Sequence, residues 1–330
     1  MLDLVSGYLL LEEFSTSRTT QTWQARVEKV LQTFSVRVRY LVSDRAKALI
    51  KLALEYVGCR SIADLFHALH EVAQGFSFAI QRRLDQAQQE LQAARATLEK
   101  LPDTPLSPRV QAVERLPQLE QTVQHWQAVQ TDYRGLLQDF SQSVHPFAVT
   151  TLAPQTSVSV AQQLRQTVEQ LETLAHCNDL PRADKYLKPV KRLIEDLASL
   201  MTVWWDWVDH SLADTVREPL MQLWLKETLL PKVYLEQQVK LCRSSAQRPV
   251  YRAAWELACQ KFAAHPRTAQ WDADGLADWT RWAETMVARF QRTSSAVEGR
   301  NGYLSQIHHA GRGLSTDDLK VLTVLHNFEL

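Results

Sequence analysis

Two acids far apart in the chain, Asp44 and Glu298, sit in settings that suit holding a divalent cation beside substrate phosphates. Asp44 closes the run "VRVRYLVSD" just before a helical pattern opens, and the carboxyl ends of strands in open α/β sheets are where ligands collect. Glu298 lies in "RTSSAVEGRNGYLSQIHHAGRG", Arg292 to Gly313, near the start of a helical pattern. That stretch holds four of the chain's nine glycines. Gly299, next to the acid, permits close approach of backbone or ligand. Hard cations such as Mg²⁺ are held by carboxylate and substrate phosphate oxygens, so acids from a strand end and a packing helix can supply ligands from two sides. Arg45, Arg300, His308, His309 and Arg312 then suit contact with phosphates. Plainer roles compete with each of these. Asp44 is also a good N-cap for "RAKALIKLA", and "EGRNG" could end a helix in a turn. The segment "HALHE", with His67, His70 and Glu71, is not the His-Glu-x-x-His zinc pattern and offers no third ligand.

The elements that must hold these residues follow from periodicity. "GYLLLEEF", Gly7 to Phe14, and "VRVRYLVSD", Val36 to Asp44, read as strands, with a helix between them that places Trp23, Val27, Val30 and Leu31 on one face. A further helix ends at Gly58, a natural C-cap, and a short strand over Cys59 to Ala63 runs into another helix. Strands alternating with helices predict parallel pairing with crossovers. From Ile80 the positions Ile80, Leu84, Ala87, Leu91, Ala94, Leu98 and Leu101 make a heptad seam. Leu116, Leu119, Val123, Trp126, Gln130, Tyr133, Leu137 and Phe140 repeat it after the loop "PDTPLSP". Residues 79–141 are therefore expected to form an antiparallel helical hairpin, the competing reading being an intermolecular coiled coil. Ser157 or Ser159 should cap the next helix, and the helices that follow should break near Pro219, Pro231 and Pro266. Trp204, Trp205 and Trp207 are expected in the core, with a base-stacking platform as the alternative.

Composition narrows the classes. Lys+Arg 37 balance Asp+Glu 37, so attraction to nucleic acid must come from local clusters such as Lys185, Lys188, Lys191 and Arg192, which could equally be a solvated helix face. Cys59, Cys177, Cys242 and Cys259 are far apart and form no Cys-x-x-Cys pair, which predicts reduced, buried thiols in a cytoplasmic protein. No basic leader and no apolar run of about 18 residues is present, so no membrane partner is expected.

"YLVSDRAKALIKLA", "ADLFHALHEV" and the Arg292 to Gly313 stretch resemble blocks of bacterial insertion-sequence transposases, whose RNase H-like domain carries an Asp-Asp-Glu triad. The resemblance implies that Asp44 is the second catalytic Asp and Glu298 the catalytic Glu, both as metal ligands. Asp64, Phe66 and His67 resemble the family's fifth-strand motif, and Gly299 and Asn301 belong to the Glu block. The implied fold is α/β and mostly helical: an incomplete RNase H-like core over residues 1–78 and 286–330, interrupted by an all-α insertion at 79–285. That insertion holds the hairpin 79–141 and a bundle over 157–285. The implied cofactor is Mg²⁺ or Mn²⁺, two ions about 3.5 to 4 Å apart in a complete site. The implied partners are transposon ends and target DNA, with a homodimer possible.

One departure limits activity. The family's first Asp lies on the first strand, whereas this chain is expected to enter at the end of the second; Asp3 is on the wrong strand for that role, and the upstream helix-turn-helix is absent. The expectation is a transposase fragment, inactive alone. The rivals are a non-catalytic helical scaffold and an RNase H-like nuclease unconnected with transposition.

Overall fold

The computed structural model describes residues 1–3, 6–15, 17–34, 36–100, 107–292, 295–311 and 313–328. The elements run α1 (Thr20–Phe34), β1 (Tyr40–Ser43), α2 (Lys47–Lys51, widened into a π-helical turn over Leu52–Val57), β2 (Arg60–Ala63), α3 (Leu65–Lys100) and α4 (Ser107–Ser143). There follow α5 (Ser157–Cys177), α6 (Ala183–Thr215), α7 (Pro219–Trp224, continuing through a π turn over Leu225–Leu229), α8 (Leu230–Leu241), α9 (Arg248–Ala264), α10 (Ala273–Ala288), α11 (Ser295–Ala310) and α12 (Thr316–Phe328). Among the described residues the protein is mostly helical with two short parallel strands.

The strands pair as expected, Tyr40 with Arg60 through Ser43 with Ala63, and α2 is the crossover between them. That crossover ends at Gly58, whose φ of 69° is the left-handed conformation a helix stop favours. The third expected strand does not form. Gly7 to Phe14 contributes a single antiparallel bridge, Leu9 with Leu2, and Leu9 then pairs with a side chain: its N–H donates to Asn327 Oδ1 (2.8 Å) and its carbonyl accepts from Asn327 Nδ2 (3.2 Å). The apolar run "YLLL" had signalled strand because apolar continuity does not reveal whether a partner strand exists.

The chain separates into two compact units: residues 1–67, 144–161 and 195–330, and residues 68–143 and 162–194. This differs from the expected division at 79 and 285, since residues 195–285 pack with the sheet instead of with the hairpin. The core of the first unit is aromatic. Trp204 and Tyr234 are each 1% exposed and Phe147 is fully buried; the Phe290 ring lies 5.7 Å from both Trp204 and Tyr234, and Trp204 Nε1 donates to the Met286 carbonyl (2.9 Å). Trp204 is thus a core residue, while Trp205 and Trp207 are half-buried.

In the second unit the hairpin forms as its heptads predict. Ser77 bonds Tyr133 (2.8 Å), Gln81 bonds Gln130 (2.8 Å) and Arg95 bonds Glu120 (2.6 Å), numbers rising on α3 as they fall on α4. Val129, not Gln130, takes the buried place on the α4 seam, which lets the Gln130 amide face Gln81. The cap of α5 is shared, with Thr156 and Ser159 each accepting from the other's backbone N–H (3.1 and 2.9 Å). Pro219 opens α7 and α9 stops just before Pro266 as expected, but Pro231 makes no break, since α7 runs through its π turn into α8 without leaving helical backbone; of the four cysteines only Cys59 is buried, Cys177 being exposed. Among the described residues no helix is long and apolar enough to cross a membrane.

Candidate functional site

Because Ser43 pairs with Ala63, Asp44 and Asp64 leave the sheet side by side at its carboxyl edge. Their surroundings differ. Asp44 is exposed, and its Oδ1 accepts from the Ala46 N–H (3.0 Å) at the entry to α2; among the described residues it makes no other hydrogen bond. Asp64 is 1% exposed, its N–H donates to the Ser43 carbonyl (3.1 Å), and its Oδ1 accepts from the Phe66 N–H (2.9 Å) at the start of α3. Hydrogen bonds to a helix N-terminus are what make a buried carboxylate tolerable. Phe66 is 47% exposed and His67 half-buried on the first turn of α3.

Arg45, expected on phosphates, turns inward. Its guanidinium donates to Ser61 Oγ (2.9 Å) and Ser61 O (3.2 Å) and pairs with Asp196 (2.5 Å). Burial pushes the Asp196 carboxyl up from its usual range, and the pull of Arg45 only partly offsets that. Arg45 holds φ at 65°, a conformation costing an ordinary residue about 1 kcal/mol, so the ion pair and its two hydrogen bonds maintain a strained exit from β1.

The late part of the chain is brought to this edge. Tyr40 Oη donates to the Arg289 carbonyl (2.9 Å), and the Leu65 N–H, adjacent to Asp64, donates to the Arg292 carbonyl (3.1 Å). Both acceptors lie on the lead-in to α11. Arg292 Nη1 in turn donates to the Val144 carbonyl (3.1 Å) and to His145 Nε2 (2.8 Å). His145 is fully buried, with Nε2 also 3.0 Å from Tyr251 Oη and Nδ1 in contact with Tyr234 Oη. A guanidinium only donates, so Nε2 must accept, which assigns the ring proton to Nδ1 and makes Tyr234 its acceptor. Burial, and secondarily Arg292, holds His145 well below its ordinary pKa, and burial raises both tyrosines. Nothing in the sequence singled out His145 or this network. Its members come from loop, α8, α9 and the α11 lead-in, and no local spacing announces them.

Glu298 lies on the first turn of α11; its side chain falls outside the described residues, as does Arg312. The "EGRNG" stretch is helix interior, not a C-cap and turn. Gly299 and Gly302 are exposed, and a Cβ at either would meet nothing within 4 Å, so the fold itself does not require glycine there. Asn301, His308 and His309 are exposed. Arg300 is committed elsewhere: its Nε and Nη2 grip the two oxygens of Glu12 (2.9 and 2.8 Å), with side chains 9% and 10% exposed, and Thr323 Oγ1 donates to the same carboxylate (2.8 Å). Burial alone would raise Glu12, but the bonds from Arg300 and Thr323 hold it below the usual carboxylate range.

Residues 225–330 match the model of a family of unknown function, DUF6399. That span covers α8 to α12, including Tyr234, Tyr251, Arg292 and Glu298. No curated protein and no solved structure matches the chain. The stretch that raised the functional question thus falls inside the matched segment with Tyr234 and Tyr251, whereas His145, Leu65, Asp44 and Asp64 fall outside it.

As donors, Asp44 and Glu298 offer the carboxylate oxygens a hard cation prefers. In number the edge is sparse: among the described residues no group of three or more His, Cys, Asp or Glu side chains gathers.

Proposed function

We propose that this chain is a transposase-type protein of the RNase H-like, Asp-Asp-Glu class that binds DNA, with Asp44 and Glu298 as ligands for Mg²⁺ or Mn²⁺, and that on its own it cleaves DNA weakly or not at all. The observation that carries this reading is the bond from the Leu65 N–H to the Arg292 carbonyl, which joins the start of the Glu298 helix to the strand edge bearing Asp44 and Asp64. An α/β edge with one exposed acid, a late helix led to it, and a large helical segment between them fit an RNase H-like core with an insertion.

A bound divalent cation would supply Lewis-acid stabilisation of a phosphodiester under attack. The chain's own residues do the rest. Asp44, with one oxygen fixed by the Ala46 N–H, keeps the other toward solvent. Asp64 secures the neighbouring strand end from within. The open flank of Gly299 and Gly302 leaves room for a nucleic-acid backbone beside α11. With Arg45 and Arg300 occupied by carboxylates, phosphate contact falls to exposed groups such as His308 and His309. Two acids hold Mg²⁺ weakly, since the ion gives up its waters reluctantly.

Titrating Mn²⁺ calorimetrically into the protein, with duplex DNA nicking assayed in parallel, tests the reading. Weak binding, lost in Asp44→Asn and in Glu298→Gln, with little nicking, is expected. Strong Mg²⁺-dependent cleavage abolished by Glu298→Gln would refute the claim of inactivity, and metal binding indifferent to both substitutions would refute the site.

One observation favours a second reading, a non-catalytic helical scaffold: Asp44 already serves as a cap, and Arg45 and Arg300 already serve as structural ties. The same titration separates the two, because a cap retained by Asn at position 44 predicts no change in metal binding.

A further inference from the structure

A depression of about 340 Å³ lies on the unit formed by residues 68–143 and 162–194, between α3 and the turn joining α5 to α6. Its lining includes Phe78, Arg82, Arg83 and Gln86 from α3, with Asp179 and Arg182 from the turn. Phe78 is 72% exposed, although Phe76 and Ile80 on either side of it are buried. Arg82, four residues on, shares its helix face. Arg82 and Arg182 are exposed and, among the described residues, make no hydrogen bond or ion pair. Arg83 is only loosely held, 3.9 Å from an Asp179 carboxylate whose side chain is 90% exposed, with its guanidinium 5.7 Å from the Trp126 ring centroid. Asp179 adopts a left-handed backbone, φ 48°, which turns the chain so that Arg182 reaches the same hollow.

We propose that this hollow binds single-stranded nucleic acid, one base stacking on Phe78 while Arg82, Arg83 and Arg182 meet the flanking phosphates. Three guanidiniums against one carboxylate favour an anion, and an exposed ring beside them favours one that also has a flat apolar face. Nucleotides combine the two. A duplex hides its base faces in the stack, so the single strand is the better fit. An acidic peptide would satisfy the arginines and leave the ring idle. The inference is independent of Asp44 and Glu298 and needs no metal.

The test is fluorescence anisotropy of a labelled oligothymidylate of about 12 nucleotides, a length within the usual range for such sites, in EDTA over a series of NaCl concentrations. The wild-type protein is expected to bind, with the duplex of equal length binding more weakly. Phe78→Ala should weaken binding about tenfold. Arg82→Ala with Arg182→Ala should also weaken it and should reduce the slope of log K against log salt by about 1.4, close to 0.7 per lost contact. These side chains are exposed, so thermal melting should not move in any variant. The proposal is overturned by no binding of the oligonucleotide, by binding unchanged in these variants, by a preference for duplex insensitive to Phe78→Ala, or by polyglutamate displacing the oligonucleotide equally from wild type and Phe78→Ala. Because EDTA removes any role for a cation, failure here is distinguishable from failure of the Asp44 and Glu298 site.

Discussion

The two strand exits share a register and a sequence logic yet differ in what holds them. At the β1 exit Asp44 stands in solvent, and Arg45 is bent through a strained backbone onto Ser61 and Asp196. At the β2 exit Asp64 is buried, and the next residue's N–H holds the Arg292 carbonyl, behind which lies the His145 network. One strand exit is thus exposed to solvent and its neighbour is built into the core. The difference shows that an acid at a strand end is a candidate ligand only when its neighbour supplies the structural anchoring.

The largest test of this contrast is His145→Leu, which removes the buried ring that Arg292 and two tyrosine hydroxyls share. It should cost about 3 kcal/mol in urea denaturation, and a loss comparable to that at Asp44 would erase the distinction between the exits. Lowering the pH probes the same side without mutation. The folded-state pKa of His145 is depressed, so below about 6.5 the unfolded chain binds the extra proton and stability falls as pH drops, by up to about 1.4 kcal/mol per pH unit. That slope should disappear in His145→Leu. Asp64→Ala, which removes a buried cap, should cost about 2 kcal/mol. Asp44→Ala should cost about 1 kcal/mol and Asp44→Asn almost nothing, because Asn retains the acceptor for Ala46. The smallest effect has the opposite sign: Gly299→Ala should stabilise by about 0.5 to 1 kcal/mol, read as a raised melting temperature, since helix-interior glycine is poor and the added methyl meets nothing.

What could be read from the sequence was what is local. The heptads of α3 and α4, the glycine stop at Gly58, the strands β1 and β2 and the helix breaks at Pro219 and Pro266 rest on local patterns or on one repeating period, and they form; the break expected at Pro231 does not. Of the site, the placement of Asp44 at a strand exit and of Glu298 on the first turn of a helix was visible for the same reason. The ties of Arg45 to Asp196, Arg300 to Glu12 and Arg292 to His145 were not, because a cation's partner is chosen by the tertiary fold, and sequence shows only that a cation exists. The strand read into Gly7 to Phe14 failed on the same ground: its second hydrogen-bonding neighbour is an amide more than three hundred residues away.

That amide has a consequence for how copies of the protein avoid one another. Asn327 presents one donor and one acceptor in the spacing of a peptide group, so it completes the backbone of Leu9 where another chain's strand could otherwise dock. A single side chain here covers a lone bridge, as charged or proline-rich borders cover the edges of sheets. Its loss would bare a sticky margin, felt first as clumping in concentrated solution.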